Sequence, residues 1–256
     1  MYRRTGEQLW RDPQLGDCLW QTGAICNQDM KISIVIPLLN EAPIIEETLS
    51  ALQPYRLTGT ELIVVDGGST DASVALSQPL ADRVMRGPQG RARQMNVGAE
   101  AATGEILLFL HADARLPATA DQLIVAKMKR HGRGWGRFDV RLSGRHLLLR
   151  LVEGSMNLRS RLSGIATGDQ AIFVRREVFK AAGGFPEIDL MEDITLSRIL
   201  KRHGPPLCLW QRVITSSRRW EENGYLRTIF LMWYLRLAYF FGASPGNLAR
   251  LYDRSK

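Results

Sequence analysis

Glu105-Ile106-Leu107-Leu108-Phe109-Leu110-His111-Ala112-Asp113 opens with six residues that read as a buried strand and runs straight into a polar tip carrying a histidine and a carboxylate. A hydrophobic core has no use for a carboxylate there, because burying an unpaired charge is costly. Two earlier segments repeat the pattern. Ile32-Ser33-Ile34-Val35-Ile36-Pro37 runs into Asn40-Glu41, and Leu62-Ile63-Val64-Val65 runs into Asp66-Gly67-Gly68-Ser69-Thr70-Asp71. Unbroken apolar strands that alternate with helical stretches predict an α/β fold, a mostly parallel central sheet with helices on both faces. Ligands bind such sheets at the carboxyl ends of the strands. Three acidic tips on one edge therefore point to a site for a phosphorylated ligand and its metal.

Working outward, strands are expected at 32–36, 62–66, 83–86 and 105–110, with helices near 43–53, 70–77, 91–102 and 117–130. Pro43 suits a first helical turn. In the second half, strands are expected at 135–142, 171–174 and 207–213, and helices at 146–162, 177–182 and through Arg202. No internal repeat, low-complexity tract or long linker divides the chain. The expected organisation is a single domain over 30–222, followed by an apolar helix and tail over 223–256. Residues 1–29 are polar, lack the apolar run of a secretory signal, and read as a disordered extension or as a start assigned ahead of Met30.

The 256 residues are 45% hydrophobic and 23% charged, an ordinary globular balance that allows a sizeable core. The net charge of +8 suits phosphates, nucleic acid or an anionic membrane surface without choosing among them. No nucleic-acid-binding motif accompanies it, so nucleic acid is not an expected partner. Cys18, Cys26 and Cys208 are odd in number, and their spacing fits neither a zinc site nor a disulfide framework. They read as unpaired thiols in a reducing compartment, hence a cytoplasmic protein. The four histidines are scattered and make no metal-ligand pair.

Each motif carries a bland reading beside a chemical one. Asp66 can accept hydrogen bonds from a base or ribose, with Gly68 letting the backbone approach closely, or the segment is a turn with Ser69 or Thr70 as a helix cap. Asp113 can hold a Mg²⁺ or Mn²⁺ ion against a diphosphate, or cap the next turn, and His111 is equally a structural histidine. Arg91 stands where a helix N-terminus would favour a phosphate, or on a solvated basic face. Glu192-Asp193 opens a helix, where acids stabilise the dipole, or supplies a general base for an acceptor hydroxyl. Arg218-Arg219-Trp220 can pair with a diphosphate and pack a sugar, or form an ordinary arginine pair beside a buried tryptophan.

From Arg130 to Arg161 eight arginines stand against Asp139 and Glu153. The apolar stretch Tyr225 to Phe241 is shorter than the roughly 20 residues a spanning helix needs, and Arg236 interrupts it. It reads either as a helix at a membrane interface or as one buried in a homodimer or core. With the basic segment, it makes peripheral contact with the inner face of the membrane an expectation.

Taken in order, Ile34-Val35-Ile36-Pro37 with Asn40-Glu41, Val65-Asp66-Gly67-Gly68-Ser69-Thr70-Asp71, Leu110-His111-Ala112-Asp113, Gly168-Asp169-Gln170, Glu192-Asp193 and Arg219-Trp220 resemble glycosyltransferase family 2, the inverting enzymes of the GT-A fold. The resemblance covers about residues 30 to 222. The compact size, Gly67-Gly68 and His-Ala-Asp in place of Asp-x-Asp further resemble a bacterial subfamily assigned to arsenosugar biosynthesis. The family resemblance implies a nucleotide-sugar donor bound by Pro37, Glu41, Asp66, Gly68, Arg91 and Asp113, with Asp66 facing the base and Asp113 on the divalent metal and diphosphate. It implies an acceptor bordered by Gly168, Asp169, Gln170, Arg219 and Trp220, with Asp193 as catalytic base. The acceptor is left open as a lipid carrier, a glycan end or a small metabolite. Arg219-Trp220 match the end of a Q-x-x-R-W motif, with Ser216 in the glutamine position. That motif marks processive synthases, and its partial loss, with no spanning helix, favours a single transfer. The departures at His111 and Ser216 motivate the alternative, a degenerate domain that binds a nucleotide sugar or a membrane partner without turnover.

Overall fold

The computed structural model describes residues 30–253, so the expectations for 1–29 and for the last three residues lie outside it. The sheet is built on β1 (Ile32–Leu38), β2 (Glu61–Asp66), β3 (Arg83–Arg86) and β4 (Ile106–Phe109). These four run parallel in the order β3-β2-β1-β4. Their apolar runs are unbroken because both faces are covered. Ile34, Ile36, Leu62, Val64, Ile106 and Leu108 pack on one side with Ile45 and Leu49 of α1 (Ala42–Leu57) and with Ile124 and Met128 of α4 (Ala120–His131). Val35, Ile63, Val65, Leu107 and Phe109 face the other side, against Ala92, Met95 and Ala99 of α3 (Arg91–Ala101) and Leu196 and Leu200 of α7 (Glu192–Leu200). The two-residue period of a strand thus feeds two cores at once.

Beyond β4 the sheet becomes mixed. β7 (Phe173–Arg175) runs antiparallel to β4, and β6 (Trp135–Leu142) antiparallel to β7. β8 (Leu207–Thr215) returns parallel to β6, and the two-residue β5 (Ala114–Arg115) closes the edge antiparallel to it. α5 (Leu147–Ser163) packs on β6, and α6 (Arg176–Ala181) follows β7 directly.

Several boundaries move for physical reasons. Pro54, which lacks an N–H, does not end α1. The helix continues because Tyr55 is buried and its hydroxyl donates to the Pro117 carbonyl at 2.5 Å. α2 shrinks to Ser73–Ser77 because the preceding loop is tied to its neighbour: Thr70 N donates to Asn40 Oδ1, and Asn40 N to Ser69 Oγ, both at 2.9 Å. β5 displaces the start of α4 to Ala120. Two short helices were not foreseen, α8 (Arg218–Asn223) and α10 (Pro245–Asp253), on either side of the expected apolar helix α9 (Tyr225–Phe240). Leu235 of α9 and Leu248 of α10 pack with Met191 and Ile194, which fastens the C-terminal helices to the start of α7.

The arginine-rich segment is less of a surface patch than its composition implies. Arg137 is fully buried and paired with Asp139, and Arg161 reaches the same carboxylate at 2.8 Å while lying over the Trp210 ring. Arg150 donates to the carbonyls of Leu142 and Gly144 at 2.7 and 2.5 Å.

α3 lies close on the sheet because Gly98 has no side chain; a Cβ there would run into the buried Val35. Gly98→Val is expected to lower stability by about 1–3 kcal/mol through overpacking, read as a fall in the midpoint of urea unfolding with the urea dependence unchanged.

Candidate functional site

The carboxyl ends of β1 and β4 open into a cleft of about 750 Å³. Its first wall comes from the parallel half of the sheet: Pro37 at the end of β1 and Glu41 after it, Arg91 and Gln94 on α3, and His111 and Asp113 after β4. The facing wall comes from later segments: Gly168 and Asp169, Asp193 at the start of α7, Arg218 to Trp220 on α8, and Thr228 and Met232 on α9. Tyr252 of α10 closes one side, and Arg219 lies over its ring at 4.1 Å.

Nine of the twelve residues singled out in the sequence line this cleft: Pro37, Glu41, Arg91, Asp113, Gly168, Asp169, Asp193, Arg219 and Trp220. Asp66, Gly68 and Gln170 do not. Asp66 is nearly buried, and its carboxylate accepts the amides of Gly68 at 3.0 Å and Ser69 at 2.9 Å, organising its own turn. Gly68 sits at φ +101°, a left-handed conformation that L side chains rarely adopt. Gln170 is fully buried, and its side-chain oxygen accepts the Thr167 amide at 3.1 Å in a reciprocal cap.

Gln94 was not foreseen. Its side-chain amide donates to the carbonyls of Leu38 at 2.8 Å and Val65 at 2.7 Å, joining the ends of β1 and β2 beneath the cleft. The signal available was a single polar residue on the inward face of an otherwise small-residue helix, which periodicity alone does not separate from a surface glutamine.

The second wall is organised around Gly168. Its N–H donates to Asp193 Oδ2 at 2.8 Å, while Ile194 N–H donates to Asp193 Oδ1 at 2.7 Å. The carboxylate is therefore oriented by two amides. A Cβ on Gly168 would stand 2.5 Å from His111 Nε2, so only glycine lets the imidazole lie this close. That nitrogen is out of solvent without a hydrogen bond, and His111 Nδ1 lies 3.5 Å from Asp169 Oδ1. Met191, just before α7, holds a left-handed backbone (φ 71°), a strained geometry of the kind found at functional sites.

Charge is unevenly shared across the cleft. Burial pushes the Asp113 carboxyl up; His111 pulls it back and Asp169 adds to the push. Burial also raises Glu41, against Arg218, with Asp113 and Asp71 adding to the rise. Asp169 goes the other way. Its enclosure favours the neutral acid, but the hydrogen bond and charge of His111, with Arg91 and Arg236, outweigh this and hold it below the usual range. Asp113 is thus a buried carboxylate whose ionised form its surroundings stabilise incompletely. A hard divalent cation would complement it. Among the described residues no three His, Cys, Asp or Glu side chains converge on one point, so such an ion would need further oxygens from its ligand. The donor set fits an ion shared with a diphosphate better than one caged by protein. Arg91, expected on a phosphate, lines the cleft and has Nη1 3.5 Å from Glu192 Oε1.

Comparison with known proteins bears on this geometry. Residues 33–181 match the model of glycosyl transferase family 2, more than half of the chain. A PGL/p-HBAD biosynthesis glycosyltransferase of Mycobacterium tuberculosis is 36% identical over 91 residues, 33% of this chain and 36% of that one. An uncharacterized glycosyltransferase of Nostoc sp. is 33% identical over 91 residues, 33% of this chain and 28% of that one. The match spans about a third of the length of these curated relatives. Among solved structures, S. aureus TarS 1-349 in complex with UDP-GlcNAc superposes with a TM-score of 0.61 at 21% identity, covering 73% of this chain and 58% of that one. The mannosyltransferase PcManGT from Pyrobaculum calidifontis, in complex with GDP-Man and Mn²⁺, gives 0.59 at 22% identity over 88% and 69%. The shared fold is GT-A.

Burial pushes Glu192 above its ordinary value of 4.5, Arg91 opposes and Asp193 adds to the rise. A folded-state value above the unfolded one makes the native state bind more protons, so stability falls as pH rises through that window. Arg91→Ala removes the opposing charge. It is expected to destabilise the protein clearly at about pH 8 and less at about pH 4, where Glu192 is mostly protonated in both states. Adding Glu192→Gln should remove most of that pH dependence, as read from thermal midpoints across the range.

Proposed function

The chain belongs to glycosyl transferase family 2, and on that footing we propose that it is an inverting glycosyltransferase that moves one sugar from a nucleotide-diphosphate sugar to an acceptor hydroxyl. The observation that carries this reading is that Asp113 and Asp193 face one cleft from its two walls. Donor handling falls to the first wall and acceptor activation to the second.

The donor would enter along Pro37 and Glu41, with Asp66 and Gly68 supporting the nucleotide end from the turn behind. Asp113 would hold a Mg²⁺ or Mn²⁺ ion that neutralises the leaving diphosphate. Asp193, oriented by the amides of Gly168 and Ile194, takes the proton of the acceptor hydroxyl. That oxygen bonds to the anomeric carbon from the face opposite the diphosphate. The bond from carbon to the diphosphate oxygen breaks with its electron pair, and configuration inverts. Asp169, Gln170, Arg219 and Trp220 would border the acceptor, Gln170 by fixing the turn that carries Asp169. Positioning and charge neutralisation would supply most of the acceleration. His111 in place of an acid, and Gly67-Gly68 after Asp66, support the arsenosugar subfamily as the finer reading. Ser216, lining the cleft where a processive synthase would carry glutamine, supports a single transfer.

We also propose that the protein works at the inner face of a membrane. Among the described residues no helix is long and apolar enough to cross one. The outward face of α9 nevertheless carries Leu226, Phe230, Trp233, Tyr234, Leu237 and Phe240, with Phe241 just beyond, all exposed. The outward face of α5 adds Leu147, Leu151, Leu158 and Leu162. At roughly 200 Å² per aromatic side chain, the five aromatics alone present on the order of 700 Å², beyond the few hundred usual for a monomer. The only acid on either helix, Glu153, is buried, whereas Arg145 and Arg227 are exposed. Apolar side chains with interfacial tryptophan and tyrosine, edged by cations, suit an anionic bilayer.

Two measurements test these readings. Purified protein titrated with UDP-, GDP- and dTDP-sugars should bind one donor in Mn²⁺ or Mg²⁺ and lose it in EDTA or on Asp113→Ala. Asp193→Asn should keep that binding and lower transfer by about 10²–10⁴-fold; unaltered transfer would remove Asp193 as the base. For the membrane, the protein should sediment with phosphatidylglycerol vesicles more than with phosphatidylcholine vesicles. Phe230→Ser combined with Trp233→Ser should release it, and no difference between the lipids would exclude the anionic surface.

A further inference from the structure

A second, smaller cavity shares His111, Gly168 and Asp193 with the cleft and adds Glu192, which the cleft does not touch. Its remaining sides are apolar, among them Phe109 and Phe185, whose rings meet edge to face with centroids 4.8 Å apart. It offers about 10 Å³ to the centre of a water-sized sphere, close to what one water needs. Two of its polar groups have hydrogen-bonding capacity to spare. His111 Nε2 is withdrawn from solvent and bonds no protein atom. Glu192 is 4% exposed, and its ion pair with Arg91, at 3.5 Å, is long for a charge-assisted contact. Asp193 accepts one amide on each oxygen and keeps a lone pair on both. Polar groups enclosed in this way are unfavourable unless something completes their bonding. No step of the transfer uses Glu192.

We propose that this cavity binds a single structural water that joins His111 Nε2 to the Glu192 carboxyl, and that the two side chains act through it as positioning residues for Asp193. The positioning role rests on Asp193 being the base of the transfer reaction. His111 turns Nδ1 to Asp169 at 3.5 Å, which leaves Nε2 as the nitrogen that meets the water. A water both donates and accepts, so the link holds whether or not either side chain carries its proton. The apolar walls offer the water no competing partner. His111 stands on the tip that carries Asp113, and Glu192 and Asp193 are the first two residues of α7. The water therefore ties the donor wall to the start of the helix that presents the base, and it fixes the spacing between the two carboxylates that the reaction needs. It also accounts for a histidine where an acid is expected. A carboxylate at 111 would add like charge beside Asp169, Glu192 and Asp193, whereas an imidazole can bond on both edges.

The first measurement needs no donor. Magnetisation transfer from water to the full-length protein, labelled with ¹⁵N-histidine, should show one slowly exchanging water beside the His111 ring, a signal absent from His111→Phe. The water should persist in Glu192→Gln and be lost in Glu192→Met, which is similar in size but has no hydrogen-bonding oxygen. Both changes break the ion pair with Arg91, so their comparison isolates the partner of the water. The second readout is hydrolytic release of nucleotide from the nucleotide sugar that the donor screen selects. Glu192→Met should slow turnover about five- to tenfold, the worth of roughly one hydrogen bond, and Glu192→Gln should restore most of it. His111→Phe combined with Glu192→Met should be no slower than the slower single variant, because both cut one link. Should Glu192→Met not fold, His111→Gln against His111→Phe carries the same comparison. A parent without the slow water overturns the site. Equal turnover in the Gln and Met variants, or losses that simply add, overturns the positioning role. A parent that shows the water but releases nucleotide from no donor sinks the transferase reading, and the positioning role with it, while the water site stands on its own.

Discussion

The backbone amide of Gly168 holds three separate pieces of the chain in register. It donates to Asp193 on α7, it begins the turn that carries Asp169, and its bare Cα lies against the imidazole of His111 after β4. A side chain there would push His111 away from Asp169 and loosen the link between the parallel half of the sheet and α7. The distribution of charge in the cleft follows from this contact. His111 favours the ionised form of Asp169, and the negative charge of Asp169 adds to burial in raising Asp113. The requirement is steric before it is electrostatic, because the imidazole can reach the carboxylate only over a residue with no Cβ.

The parallel half of the fold was legible because its physics is local. A strand buried on both faces must be apolar at every position, and Ile34 to Ile36, Leu62 to Val65 and Ile106 to Phe109 satisfy that without help from distant residues. The mixed half was harder. β5 is two residues long and exists only because β8 lies beside it. α8 is only six residues long, and α10 is nine residues long and is held by Leu248 packing with the distant Met191, Ile194 and Leu235. The helix expected near 43–53 runs on past Pro54 for a related reason: a local rule against proline in a helix is overridden by Tyr55, whose hydroxyl bonds a carbonyl 62 residues away.

The acidic tips were legible as tips, but their division of labour was not. All three end strands of the same sheet, yet Asp66 turns inward to its own loop, whereas Glu41 and Asp113 face the cleft. The difference lies in glycine: Gly67 and Gly68 allow the chain to fold back so that its own amides reach Asp66. The arginines between 130 and 161 show the same limit. As a composition they suggested a surface field, but Arg137, Arg150 and Arg161 are occupied with Asp139, Glu153 and backbone carbonyls. A buried arginine and a solvated one are identical in one dimension.

The two walls of the cleft also differ in where they fall along the chain. The first is complete by Asp113, within the matched family region, and most of the second is drawn from 189–252, beyond it. Grafting the last quarter of the chain from one relative onto another would therefore exchange one wall and leave the other intact. Chain order makes the cleft modular: a short terminal segment could be altered to reshape most of one wall without disturbing the strands that carry the other.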